Sequence, residues 1–291
     1  MVRVPVSAEG IGSGGPVDQR IIVIGQSHVR ALLDGYESLT RAHQAKSDEV
    51  EASFVVSRPD QVVLTRWKND GFVRDKPKKS LTDVVASVDP TRIVLAWGGN
   101  QMSLRALVAT DRPFDVLLPT ADPQAPVDPG IELIPCSVVD GFVRKRIEGN
   151  DILRELTVES ARRNRPVGML VPPPPMPESA VRERLGDEPH FIRVLEHLHK
   201  DATDVPIVPD PVRQRLWTLM AGAYRSFAAG NGLDILEPPA DAFDDSGMLA
   251  SAYWGRDATH ANAAYGASAL KKVFDWAASD TIPNPTVRKP A

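Results

Sequence analysis

Five short, predominantly apolar runs that are rich in β-branched residues place the strongest constraint on the fold of this chain. The first run, Ile21-Ile22-Val23-Ile24, ends at Gly25 and shows no polar alternation. Such a run is typical of a strand that is buried on both faces of a sheet. Four further runs of the same character lie at residues 53–56, 92–97, 167–171 and 233–236.

Segments with helical spacing lie between and after these runs, at residues 137–165, 212–229 and 262–277. The second of them closes on Gly230-Asn231-Gly232, which is a common way for a helix to end. Strands that alternate with helices predict a parallel sheet covered by helices on both faces, in one doubly wound α/β domain. Residues 111–135 are rich in proline and are predicted to leave the sheet as a long excursion.

We expect a single domain over residues 20–280, preceded by a flexible, glycine-rich arm at residues 1–19 and followed by a C-terminal tail at residues 281–291. The 291 residues are 42% hydrophobic and 25% charged, which excludes an intrinsically disordered chain. No apolar run approaches the roughly 18 residues that a membrane span needs. The first twenty residues lack the apolar centre of a secretory signal. The expected compartment is therefore the cytoplasm.

Charge and cysteine content exclude several classes of function. The formal net charge of −4 provides no strong field for nucleic acid or an anionic membrane, so we predict neither as a partner. The single cysteine, Cys136, excludes a disulfide framework and a four-cysteine zinc site, and we predict no metal and no cofactor. The glycine pattern at residues 10–15 precedes a strand instead of following one, so it does not predict a dinucleotide-binding loop.

The polar residues that follow the first predicted strand are the first candidate for a functional site, because ligands bind beyond the carboxyl ends of the strands in open α/β sheets. Gly25-Gln26-Ser27-His28 leads from that strand into a helix, which places a serine on a strand-to-helix turn. The free backbone N–H groups of such a turn favour developing negative charge. Taken alone, Ser27 is explained more simply as a helix N-cap.

Two further polar blocks follow the third strand and precede the last helix. Trp97-Gly98-Gly99-Asn100-Gln101 offers close backbone approach at its glycines and an amide N–H₂ at Asn100, although by itself it is also an ordinary glycine turn. In Asp257-Ala258-Thr259-His260, the carboxylate can hold Nδ1–H of the imidazole and leave Nε2 free to take a proton from a serine. A loop histidine without a role is the alternative there.

Together the three blocks supply the nucleophile, oxyanion donor, orienting carboxylate and base that acyl transfer requires. They resemble the motifs of the SGNH (GDSL-like) hydrolase family, which are Gly-Asp-Ser after the first strand, Gly-x-Asn-Asp after the third and Asp-x-x-His before the last helix. The resemblance covers residues 20–278 in order. It implies a three-layer α/β sandwich with a central five-stranded parallel sheet, the flavodoxin-like SGNH hydrolase fold.

The resemblance also implies roles for individual residues. Ser27, His260 and Asp257 match the family's triad, and His28 is a weaker candidate for the base. The oxyanion hole would consist of the Ser27 N–H, the Asn100 side chain and the Gly71 N–H, although Gly71 equally suits a simple turn. Residues predicted to contact the substrate adjoin these blocks, with the two tryptophans stacking on a sugar ring or packing in the core: Gln26, Gly99, Gln101, Trp97 and Trp254.

The predicted function is a serine esterase that hydrolyses O-acyl esters of a carbohydrate or small metabolite through an acyl-enzyme. Gly25-Gln26-Ser27 resembles the variant block of carbohydrate O-acetylesterases, which favours O-acetyl groups. Two alternatives stay open. One is an O-acyltransferase whose pocket excludes water. The other is a catalytically impaired carbohydrate-binding or regulatory protein, which is favoured by Gln26 and Gln101 where the family has aspartates. The predicted partner is a small-molecule or saccharide ester.

Overall fold

The computed structural model describes residues 19–42, 50–57, 62–68, 71–78, 80–97, 107, 112–118, 129–163, 165–186, 189–197, 201 and 204–279. The predicted C-terminal tail and all of the predicted arm except its last residue, Gln19, lie outside these ranges. The single-domain boundary at residues 20–280 stays a prediction. Among the described helices, none combines the length and the apolar character that crossing a membrane requires.

A seven-stranded, mostly parallel sheet forms the centre of the described chain, in the order β4-β3-β2-β1-β5-β8-β9. The five parallel strands are those that the apolar runs predict. Their order, second-first-third-fourth-fifth, is that of flavodoxin-like sheets and confirms the predicted architecture. The strands are β1 (Gln19–Gly25), β2 (Val50–Ser57), β3 (Val62–Lys68), β4 (Gly71–Arg74), β5 (Arg92–Ala96), β6 (Phe114–Leu117), β7 (Glu132–Pro135), β8 (Val167–Leu170) and β9 (Asp234–Leu236).

The prediction of five strands was wrong in number, because β3 and β4 extend the sheet beyond β2. Both added strands are antiparallel, with Ser53 opposite Arg66 and Thr65 opposite Arg74. β4 forms the edge of the sheet, and its last two residues are exposed. An edge hairpin of this kind needs no continuous apolar run, so it lacks the signal that identified the other strands.

The proline-rich stretch that was predicted to leave the sheet contains a small sheet of its own. β6 and β7 pair in parallel, from Phe114 opposite Glu132 to Leu117 opposite Pro135. Arg215 fixes this small sheet to the domain, because its guanidinium donates to both carboxylate oxygens of Asp115, at 2.6 and 2.5 Å. The stretch is therefore anchored near both of its ends in the described chain.

Helices cover both faces of the central sheet, which confirms the predicted three layers. Ile21 and Val23 of β1 face one apolar core, Ile22 and Ile24 face the other, and all four are completely buried. The described helices are α1 (Val29–Ala42), α2 (Leu81–Val88), α3 (Cys136–Glu148), α4 (Asp151–Arg163), α5 (Glu178–Arg184), α6 (Pro189–His197), α7 (Asp210–Gly230) and α8 (Ala263–Ala278).

Helix α1 packs closely against α8, and two glycines make this approach possible. A Cβ atom added at Gly266 would lie 1.8 Å from the carbonyl oxygen of Ala31, and one at Gly35 would lie 2.2 Å from the backbone nitrogen of Ala267. Backbone atoms therefore occupy the space that any side chain would need. This contact fixes the helix that follows Ser27 against the helix that follows His260.

We expect Gly266→Ala to lower the free energy of unfolding by about 1–3 kcal/mol or more, because the methyl group forces the two helices apart. Gly222→Ala in α7 is the matched control, since a Cβ atom there meets nothing within 4 Å. Alanine favours helix over glycine by up to about 1 kcal/mol, so the control should be as stable as the parent or more so. Urea denaturation of both variants checks this. Equal stability of Gly266→Ala and the parent would contradict the packing described.

Candidate active site

The carboxyl end of β1 lies in the middle of the sheet edge, between two parallel neighbours. Gly25, its last residue, is paired with Val56 of β2 and Ala96 of β5. A Cβ atom at Gly25 would lie 2.0 Å from the carbonyl oxygen of Ala96, so the position requires glycine. The turn that follows Gly25 therefore starts at the edge where all the parallel strands end.

Ser27 lies in this turn and is exposed. The Val29 N–H donates to the Gln26 carbonyl oxygen and the Arg30 N–H donates to the Ser27 carbonyl oxygen, each at 3.1 Å. These bonds lead the chain directly into α1, so Ser27 stands at the amino end of a 14-residue helix. The positive end of the helix dipole favours negative charge at this point.

Asp257 and His260 form a compact pair in the loop before α8. Nδ1 of His260 lies 2.9 and 2.8 Å from the two carboxylate oxygens of Asp257. The backbone N–H groups of Thr259 and His260 donate to the same carboxylate, at 2.8 and 2.9 Å. With a carboxylate at Nδ1, the imidazole carries its proton there and presents Nε2 as an acceptor. This is the arrangement that the Asp-x-x-His spacing predicts.

The electrostatics of the pair keep Asp257 ionised. Burial opposes its ionisation, but the hydrogen bond and charge of His260 and the two backbone N–H donors outweigh burial and hold the pKa of Asp257 well below its usual range. A carboxylate that stays charged keeps the imidazole oriented and stabilises an imidazolium when one forms. The pair therefore has the properties of a base and its orienting group.

The loop that carries the pair is held at its base. Gly255 packs against the backbone of His260, with only 2.0 Å between a Cβ atom added there and the His260 carbonyl oxygen. Trp254 forms an isolated antiparallel bridge with Ala261, and Arg184 donates to the Gly255 carbonyl oxygen at 3.0 Å. These contacts close the loop and set the position of the imidazole.

A cleft of about 1,130 Å³ joins the turn after β1 to this loop. Gln26 and Ser27 line it on one side, and Asp257 and His260 line it on another. Side chains separated by more than 200 residues in the sequence thus line one cleft. The described part of the chain also contributes residues that the sequence reasoning did not single out: Arg30, Asp34, Ser57, Thr65, Arg74, Asp75 and Arg256.

The two tryptophans do not line this cleft. Trp97 is buried, belongs to one of the two apolar cores and lines a separate small pocket of about 30 Å³. Trp254 donates from its indole N–H to the Leu249 carbonyl oxygen at 2.7 Å, and the Arg184 guanidinium lies over its ring, 5.3 Å from the centroid. Their predicted stacking on a sugar ring was wrong in this structure, because both side chains pack against the protein.

The predicted oxyanion role of Gly71 was also wrong. Gly71 is the first residue of β4 and is paired with Lys68 of β3. Lys68 lies two residues after Arg66, and Arg66 is paired with Ser53 of β2. This register places Gly71 at the level of the amino end of β1, roughly 16 Å along the strands from Gly25. Its N–H therefore lies near the amino ends of the parallel strands, at the opposite end of the sheet from Ser27. Gly99, Asn100 and Gln101, from the second predicted block, lie outside the described residues.

His28, the weaker candidate for the base, lies beside His260 but does not line the cleft. The two imidazole centroids are 5.3 Å apart, with the rings tilted by 56°. Part of the His28 side chain reaches the surface, but its Nε2 is buried and has no hydrogen-bond partner among the described residues. Burial, with a smaller contribution from His260, lowers the pKa of His28 to about 3. His28 is consequently neutral at physiological pH, and it lines two small pockets that are distinct from the cleft.

Comparison with known proteins gives similarity at the level of structure alone. No family model matches the chain, and no curated protein matches it. Among solved structures, it is similar to a GDSL-like lipase from Bacteroides thetaiotaomicron, with 11% identity, a TM-score of 0.42 and 91% of each chain covered. It is also similar to a DUF4886 family protein from Bacteroides uniformis, with 10% identity, a TM-score of 0.47 and 94% of this chain and 90% of that chain covered.

At 10–11% identity the roles of individual side chains do not transfer from one chain to another. The chemistry of the cleft therefore depends on the distances and burial within this chain.

The burial of His28 predicts a specific loss of stability in acid. Its folded-state pKa of about 3 lies below the ordinary value of 6.5, so between these values the unfolded chain binds one more proton than the folded chain. Stability is fully present above pH 6.5 and is lost as the pH falls toward 3, with a slope that approaches about 1.4 kcal/mol per pH unit. In His28→Phe, which cannot titrate, this part of the slope should disappear.

Urea denaturation of parent and variant at several pH values between 7 and 5 measures the difference. Asp257 stays ionised throughout this window, so the comparison isolates His28. Parallel stability curves for the two proteins would show that His28 accepts its proton in the folded state as readily as in the unfolded chain.

Proposed function

We propose that this protein is a serine esterase of the SGNH type, with Ser27 as nucleophile, His260 as base and Asp257 as orienting group. The observation that carries the proposal is the Asp257–His260 pair, whose imidazole lines the same cleft as a serine at a helix amino terminus. The two components lie at opposite ends of the sequence, so local folding alone does not explain their meeting. If Ser27 were only a helix N-cap, or His260 only a loop residue, neither role would require the two side chains to line the same cleft.

In the proposed reaction, Nε2 of His260 takes the hydroxyl proton of Ser27 while Oγ attacks the ester carbonyl carbon. The resulting oxyanion is held by the Ser27 N–H and, as the sequence predicts, by the Asn100 side chain. When the tetrahedral intermediate collapses, the bond to the alcohol oxygen breaks and the imidazolium returns its proton to the leaving alcohol. Water then attacks the acyl-enzyme with the same proton transfers in reverse, which releases the acid and restores Ser27.

The dimensions of the cleft support an ester with a sizeable alcohol part. At about 1,130 Å³ the cleft exceeds the range of about 300–1,000 Å³ that is common for small-molecule sites, so an acyl group as small as acetyl would leave most of it unfilled. Polar side chains that include Gln26 line much of it. We propose O-acetyl esters of a carbohydrate or a small polar metabolite as substrates, which agrees with the resemblance of Gly25-Gln26-Ser27 to carbohydrate O-acetylesterases.

Replacing the nucleophile tests the proposal directly. We expect Ser27→Ala to lower the hydrolysis of para-nitrophenyl acetate by about 10³-fold or more while the melting temperature stays within a few degrees of the parent. A fluorophosphonate probe should label the parent on Ser27 and leave the variant unlabelled. A panel of esters of increasing chain length reports the depth of the acyl pocket. Full activity of Ser27→Ala, or no labelling of the parent, would rule out Ser27 as nucleophile.

Replacing the orienting carboxylate tests the base. We expect Asp257→Asn to lower the turnover number by about 10²–10⁴-fold, because an amide N–H₂ facing Nδ1 favours the tautomer that carries its proton on Nε2. Asp140→Asn is the matched control, since Asp140 forms an exposed ion pair with Arg144 on α3 and does not line the cleft. Turnover close to the parent in the control and in Asp257→Asn alike would contradict the assignment of His260.

A further inference from the structure

The cleft is lined by three arginines as well as by the proposed triad. Arg30 belongs to the first turn of α1, Arg74 ends the edge strand β4, and Arg256 directly precedes Asp257. Three carboxylates line the same space, namely Asp34, Asp75 and Asp257. The partners of these carboxylates decide which positive charges stay available to a ligand.

Each of the three carboxylates already has a partner within the protein. Asp34 lies 2.9 Å from Nε of Arg30, and Asp75 accepts from Arg66 on β3 at 2.9 and 2.7 Å. Asp257 is bound by His260, as described above. Arg30 is thereby neutralised by its neighbour on α1, and the carboxylate beside Arg74 in the sequence is occupied by a different arginine.

Arg74 and Arg256 are left without an ion pair among the described residues. Both side chains are exposed, and they border the cleft from different walls: Arg74 from the sheet edge and Arg256 from the loop that holds the proposed triad. The cleft thus presents two unpaired guanidinium groups, which suit the planar oxygens of a carboxylate or phosphate.

We propose that the cleft binds an ester that carries an anionic group, and that Arg74 and Arg256 recognise this group. The inference rests on the proposed esterase function, which it deepens by naming the charge of the substrate. A carboxylate and a phosphate share the chemistry that these arginines recognise. The neutral para-nitrophenyl esters that reveal the activity would then be poor substrates compared with anionic ones.

The experiment compares three acetate esters of similar size: para-acetoxybenzamide, which is neutral, para-acetoxybenzoate and para-acetoxyphenyl phosphate. For each protein, the selectivity is the kcat/KM for an anionic ester divided by that for the neutral amide, measured as acetate release. Comparing this selectivity between variants and parent cancels the intrinsic reactivity of the esters. The variants are Arg74→Gln, Arg256→Gln and the double variant.

The matched control is Arg193→Gln. Arg193 is an exposed arginine on α6 that has no ion pair in the described chain and does not line the cleft. The control therefore makes the same change in net charge at a different place. We expect each cleft variant to lower the selectivity for the anionic esters by about threefold or more, which is within the range of an exposed ion pair, and the control to leave it unchanged. The parent's preference should also shrink as salt is added.

A second measurement keeps this inference separate from the proposed function. Phenyl phosphate and para-hydroxybenzoate are titrated into the Ser27→Ala protein, which cannot form an acyl-enzyme, and binding is followed by ligand-observed NMR. Binding that weakens when Arg74→Gln or Arg256→Gln is added, and not when Arg193→Gln is added, supports anion recognition whether or not the parent hydrolyses esters.

The outcomes of the two measurements are distinct. If the parent hydrolyses none of the three esters faster than Ser27→Ala, the proposed function fails, and the binding titration alone decides the anion site. If the esters are hydrolysed but the selectivity of both cleft variants equals that of Arg193→Gln, the anion inference is overturned and the esterase proposal stands. Absent or unaltered binding of both anions in the titration overturns it equally.

Discussion

The burial of β1 on both faces determines where a reactive group can stand in this protein. Ile21 to Ile24 are completely enclosed by two apolar cores, so the strand lies in the interior of the sheet with a parallel neighbour on each side. The chain emerges only at Gly25, where contact with the Ala96 carbonyl oxygen leaves no room for a side chain. Ser27 is consequently exposed on a rigid base, two residues from a fully packed strand and at the start of a helix.

The second half of the site, the Asp257–His260 pair, is built largely from contacts between residues that are close in sequence. Asp257 accepts from two backbone N–H groups of its own turn and from the His260 imidazole, so one carboxylate fixes both the loop and the ring. The packing of α1 against α8 through Gly35 and Gly266 then joins this loop to the turn after β1. The Asp257–His260 pair and the exposed Ser27 line the same cleft because α1, which follows Ser27, and α8, which follows His260, are in backbone contact.

The sequence predicts those parts of the fold that have a local signal. Continuous apolar runs identify the five parallel strands, and the Asp-x-x-His spacing identifies the pair at Asp257 and His260. The edge hairpin escapes prediction because its strands are partly exposed and alternate without a clear period. The register of this hairpin places Gly71 near the amino ends of the parallel strands, far from Ser27. The roles of the tryptophans depend on partners such as Arg184, distant in sequence, and these contacts leave no local pattern.

The close approach of the two histidines explains why the charge state of His28 bears on the proposed chemistry. A base that accepts a proton becomes a cation, and a second cation 5.3 Å away would oppose that step by like-charge repulsion. Burial lowers the pKa of His28 and keeps it neutral, which reduces the stability of the folded protein in acid. The Asp257 carboxylate, held ionised by its donors, is in direct contact with His260 and favours protonation of its imidazole. One imidazole is kept neutral by burial, while the other, paired with a carboxylate at the cleft, is the one proposed to accept the proton.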